Sequence, residues 1–190
     1  MYLPNTIYHV YNHTNNRELL FRDDKDFDRF KLKIKQHLLP VSDIFCYCLM
    51  PTHFHFLLMP NQDGLAFIPN QRQQQKIHAA FRILLSSYSR YYNTKYDKRG
   101  SLIRAKTKYK PGYSDFIPKN EDLTEDTPFT RFVPYLKVCF RYIHQNPVTA
   151  GYALTPKAWR FGSAPDYASI RDEQICNYAL SEKLLGIKRL

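Results

Sequence analysis

The chain has 190 residues, 44% of them hydrophobic, enough apolar material for one folded unit with its own core. Lys and Arg number 28 against 17 Asp and Glu, and this formal charge of +11 points to polyanionic partners such as nucleic acid. No apolar run reaches the roughly 18 residues of a membrane span, and the Met-Tyr-Leu-Pro-Asn start lacks a basic stretch followed by an apolar one. A cytoplasmic protein with no membrane partner is therefore expected.

In chain order, Thr6 to His13, TIYHVYNH, combines β-branched and aromatic residues and predicts a first strand, with NHTNNR as the turn after it. From Asp23, Phe27, Phe30, Ile34 and Leu38 recur at helical steps, with acidic residues at the start and Pro40 at the end. Residues 43–50, DIFCYCLM, and 53–59, HFHFLLM, flank Pro51-Thr52 and predict an antiparallel pair. Cys46 and Cys48 alternate on one side of the first of these strands. Together with Cys139 and Cys176 they form no Cys-x-x-Cys pair, so neither a disulfide frame nor a zinc site is expected. An amphipathic helix follows over 71–93, then a strand or extended arm from Ser101, SLIRAKTKYK.

Strand, helix, strand, strand, helix, strand is the order of an α+β ferredoxin-like split β-α-β unit. Its central antiparallel sheet carries two helices on one face and leaves the other open for ligands. Residues 111–130 have the Pro, Gly and acidic content of an inserted loop. A further helix is expected from about Thr130 to Gln145, ended by Pro147 through its restriction on Asn146. Residues 1–167 would form the main domain and 168–190 a short helical extension.

Alternate side chains of a strand share a face, so His53 and His55 converge while Phe54 and Phe56 point the other way. Two neutral imidazoles at this spacing are suited to a metal ion, although a half-buried strand with a polar face gives the same pattern. Tyr142 and Asn146 lie one helical turn apart and project together, whereas His144 points away from both; Gln145 also stays open as a third ligand. Arg90 to Lys110 holds eight basic residues against one acid, Asp97, interleaved with Tyr91, Tyr92, Tyr96 and Tyr109. Cations that follow phosphates and rings that stack on unpaired bases form a single-strand binding surface, for which Arg90, Arg99, Arg104, Lys106 and Lys108 are the candidates.

Four blocks, YHVYNHTNNRELLF at 8–21, YCLMPTHFHFLL at 47–58, YYNTKYDKRGSL at 91–102 and RYIHQNPVTAG at 141–151, occur in an order that resembles the REP-associated tyrosine transposases. These are IS200-like single-tyrosine enzymes of the HUH endonuclease superfamily. The resemblance spans about residues 2–167 and departs from the usual pattern at Thr52, where Asn is customary, and in the acidic stretch from Asp115 to Asp126. It implies that His53 and His55 bind a divalent metal, Mg²⁺ or Mn²⁺, with Asn146 at the amide position of a third ligand, and that Tyr142 is the nucleophile. It also implies single-stranded or hairpin DNA as partner, a monomer or homodimer, and cleavage and strand transfer through a 5′-phosphotyrosine. Two other readings use the same residues: a non-catalytic single-stranded nucleic-acid binder of ferredoxin-like fold, and a metal-dependent hydrolase with an activated water.

Overall fold

The structure, a computed structural model, describes residues 1–69, 74–119, 121 and 127–190. Four strands, β1 (Tyr8–His13), β2 (Ser42–Met50), β3 (His53–Pro60) and β4 (Lys108–Pro111), form one antiparallel sheet in the order β2-β3-β1-β4. Helix α1 (Asp24–His37) joins β1 to β2. The one-turn α2 (Gln62–Leu65) and the long α3 (Lys76–Lys95) lie between β3 and β4. The predicted start of α3 at residue 71 falls outside the described residues, as does much of the acidic loop. Among the described residues no helix is long and apolar enough to cross a membrane.

Strand alternation sorts the sheet into two faces. Tyr8 and Val10 of β1 and Phe54, Phe56 and Leu58 of β3 point toward α1 and α3, where Phe30, Ile34, Leu84 and Tyr88 complete the main core. A register shift between Ile44 and Cys46 rotates β2 locally. Ile44, Tyr47 and Leu49 thus join that core while Phe45, Cys46, Cys48 and Met50 face the opposite side. All four cysteines are unpaired.

The second face is not wholly open. Helix α4 (Phe129–Thr149) lies across it and buries Phe132, Leu136, Phe140 and Ile143 against Ile7, Phe45 and Leu57. The chain then follows the free edge of β2. Leu49 N donates to Phe161 O at 2.9 Å, Trp159 Nε1 to Leu49 O at 3.0 Å and Asn177 N to Ile44 O at 2.8 Å. A covered edge offers no unpaired backbone to a foreign strand. Helix α5 (Ala164–Tyr167) and helix α6 (Tyr178–Leu185) finish this layer, so the tail beyond Tyr167 packs onto β2 and α4. The end of the second face beside β1 and β3, where the histidines lie, is occupied not by the α4 core but by a cavity.

Candidate active site

Pairing of β1 with β3 sets His13 opposite His53 and Tyr11 opposite His55. His9, Tyr11 and His13 therefore share a face with His53 and His55, and the five rings line a cavity of about 350 Å³ with Asp115, Phe116, Tyr142 and Asn146. The rings of His53 and His55 lie 5.1 Å apart at 88° and those of His13 and His53 4.7 Å apart. His9 Nε2 and His55 Nδ1 are hydrogen bonded at 2.8 Å. The histidine pair picked out by strand spacing is thus part of a larger aromatic cluster. The HVYNH run of β1 carried the same period-two signal at positions 9, 11 and 13, but only pairing with β3 brings it to the site.

Tyr142 and Asn146 reach this cavity from α4. The tyrosine ring stands edge-on to His55 at 5.9 Å and to His9 at 6.0 Å, and it is 44% exposed. The Asn146 amide nitrogen donates to Tyr142 O at 3.1 Å, which leaves Oδ1 uncommitted among the described residues. Gln145 is exposed and does not line the cavity, and His144 turns away to Ser163 Oγ at 2.8 Å. Contrary to expectation, Pro147 does not end the helix, which runs on to Thr149. Near a helix C-terminus the missing proline N–H removes a single bond, and the stop comes at Gly151, whose φ of +74° suits glycine. Tyr152 N donates to Pro147 O and Gly151 N to Val148 O, a Schellman closure. Asn146 therefore stays helical, one turn beyond Tyr142.

Burial sets the charge state of the cluster. His9 and His53 are held down at about 4, His9 by desolvation and then by Lys110, His53 by desolvation and then by His13. Desolvation also pushes His55 well below the ordinary imidazole range, helped by His9, His53 and His13. These rings are neutral at pH 7, the state in which an imidazole nitrogen can be a ligand. Thr52 Oγ1 lies 3.1 Å from His53 Nδ1, and His9 occupies His55 Nδ1, so the Nε2 atoms of both His53 and His55 remain free among the described residues. Among the same residues no three His, Cys, Asp or Glu side chains gather at metal-binding spacing. The amide of Asn146, with Oδ1 uncommitted among the described residues, is a candidate third ligand beside His53 and His55.

A second concavity, about 1140 Å³, runs between α3 and the 97–109 segment. Of the candidate DNA-contact residues, Arg90, Arg99, Arg104 and Lys106 line it, joined by Arg82 and Lys98, which composition alone did not single out. Among the described residues none of these six cations has a carboxylate partner within ion-pair distance. Lys108 is elsewhere: alternation along β4 turns it to the histidine face, 5.8 Å above the Tyr11 ring. The cations thus lead from the groove around the β4 edge toward Tyr142. The interleaved tyrosines differ in what they offer: Tyr109 lines the groove and, with Tyr91 and Tyr96, is only partly buried. Tyr92 is fully buried, Tyr91 and Tyr96 bond through their hydroxyls to Asp26, and Tyr109 stacks on Tyr2 at 4.3 Å.

No family model matches the chain, and no curated protein matches it by sequence. Among solved structures, a REP-associated tyrosine transposase bound to a REP hairpin is similar to it, with a TM-score of 0.60 over 94% of this chain and 92% of that one. The two share a fold. At 11% identity the likeness concerns the path of the backbone, and it bears out the α+β architecture expected from the order of the elements.

Proposed function

We propose that the chain is a transposase-like single-stranded DNA endonuclease and strand transferase with Tyr142 as its nucleophile. One observation carries this reading: an exposed phenol shares a cavity with two neutral histidines, His55 buried and His53 half-buried, whose Nε2 atoms are free among the described residues, and an amide lies one helical turn on. The similar fold was solved with a hairpin, and by analogy hairpin-flanked DNA is the substrate proposed here.

The donor set of His53, His55 and Asn146 would suit Mg²⁺ or, given two imidazoles, better Mn²⁺. Such a cation, when bound, would offset charge on the non-bridging oxygens of the scissile phosphate. The protein residues do the rest. The six groove cations hold the strand backbone, and Lys108 and Lys110 draw it toward the cavity. Tyr142 Oη attacks phosphorus and gives up its proton to solvent; the new phosphorus–oxygen bond replaces the one to the 3′-oxygen, which leaves as a hydroxyl after taking up a proton. Phenols ionise near about pH 10 and leave more readily than an alkoxide, so a 3′-hydroxyl can reverse the step and join strands without ATP. The non-catalytic binder remains the second reading, because the groove functions without Tyr142.

The test uses end-labelled single strands carrying a hairpin, incubated with Mn²⁺ or Mg²⁺ and resolved by denaturing electrophoresis. Wild type is expected to give a labelled protein–DNA band. Tyr142→Phe should lower it by about 10³-fold or more and His53→Ala by about 10²-fold, with strand affinity nearly unchanged. Cleavage without an adduct would favour an activated water, and binding without cleavage the simple binder.

A further inference from the structure

His9 makes one of the closest contacts in the site, yet it touches the metal pair only through another ring. His9 and His55 are both 4% exposed, their rings nearly parallel at 22° with centroids 5.1 Å apart, and the link between them is His9 Nε2 to His55 Nδ1 at 2.8 Å. The β1–β3 register makes them diagonal neighbours, so the backbone of two hydrogen-bonded strands holds both ends of the contact.

A hydrogen bond between two neutral imidazoles holds one proton, and its owner decides the chemistry of the far nitrogen. If His55 donates from Nδ1, its Nε2 carries a lone pair and can ligate; His9 then bears its own proton on Nδ1. If His9 donates from Nε2, His55 must be protonated on Nε2 and is closed to a cation. His9 Nδ1 is buried with no partner among the described residues, so nothing behind His9 imposes either arrangement. We propose that His9 is a positioning residue whose Nε2 accepts the His55 Nδ1 proton and thereby presents His55 Nε2 to a divalent cation. This inference rests on the metal reading above. An acceptor behind a ligating histidine is commonly a carboxylate or a carbonyl; here a neutral ring fills the place and adds no negative charge to the site.

The experiment is a titration of the DNA-free protein with Mn²⁺ alone, followed by calorimetry, for wild type, His9→Gln and His9→Phe. His9→Phe is expected to weaken Mn²⁺ binding by about 10- to 100-fold, while His9→Gln, whose amide oxygen can accept the same proton, retains affinity within a few-fold of wild type. Equal affinities in all three proteins overturn the role of His9 and leave the metal site standing; no Mn²⁺ binding by wild type overturns the metal site and this inference with it. A readout independent of folding in the variants comes from ¹⁵N spectra of wild type saturated with Mg²⁺. His55 should carry its proton on Nδ1, and a proton on Nε2 would refute the assignment.

Discussion

Burial of the site histidines ties the chemistry of single residues to the stability of the whole. His9 and His53 have folded-state values near 4, below the ordinary 6.5 of an exposed ring. Above about pH 6.5 both folded and unfolded chains keep these rings neutral. As the pH falls from there toward 4, the unfolded chain takes up protons that the folded chain refuses, so stability is lost through that window. For a ring as buried as His9 the loss between pH 7 and pH 5 is about 2 kcal/mol. Urea unfolding at the two pH values should show a clear drop in midpoint that shrinks in His9→Gln; a midpoint independent of pH would contradict the burial argument. Tyr142, by contrast, is accessible, as the nucleophile proposed above would need to be.

Among the elements, α1 and α3 are tied together at one end by a buried carboxylate. Asp26 is fully buried and accepts from Lys95 Nζ at 2.8 Å, Tyr96 Oη at 2.7 Å, Tyr91 Oη at 3.2 Å and Arg22 N at 2.8 Å. The hydroxyls of Tyr91 and Tyr96 are committed to this network and Tyr92 to the core beneath it, whereas Tyr109 lies outside it and lines the groove. Removing one member of a buried charge network leaves the others desolvated and unpaired. Asp26→Ala should therefore cost about 3–5 kcal/mol in equilibrium unfolding, far more than the loss of an exposed pair such as Lys188–Glu182. A cost under about 1 kcal/mol would show that water reaches the pocket. Since α3 forms one wall of the groove, a milder lesion here should also loosen strand binding.

At the scale of the molecule, the +11 charge has a definite outlet. Six cations without a carboxylate partner among the described residues line the groove, and Lys108 and Lys110 continue the positive path to the second face, with Lys110 held by Asp115. Basic side chains placed in this way act on phosphates and release counterions, so affinity should fall steeply with salt. Replacing Arg90 or Arg104 with Ala should reduce the slope of log affinity against log salt by about 0.7 for each phosphate no longer neutralised, and should weaken all strand sequences alike. Fluorescence anisotropy across a salt series measures this directly. An unchanged slope would remove the residue from the interface.

Much of this site could be read from short-range spacing. His53 and His55 share a face because strand side chains alternate, and Tyr142 and Asn146 share one because a helix turns every 3.6 residues. Both rules belong to local backbone geometry, and the element order that suggested the ferredoxin-like sheet follows from the same periodicities. Pro147 misled because the restriction it places on Asn146 is a preference, and the Schellman closure at Gly151 outweighed it. What only the tertiary structure decided depends on partners distant in sequence. The β1–β3 register brings His9, Tyr11 and His13 to the histidine pair, and the β4 register sends Lys108 to the histidine face and packs Tyr109 partly against the main core. Packing of α1 on α3 commits Tyr91, Tyr92 and Tyr96 to structure. Local sequence names the residues able to do chemistry; long-range pairing and burial select which of them stand together, and in which charge state.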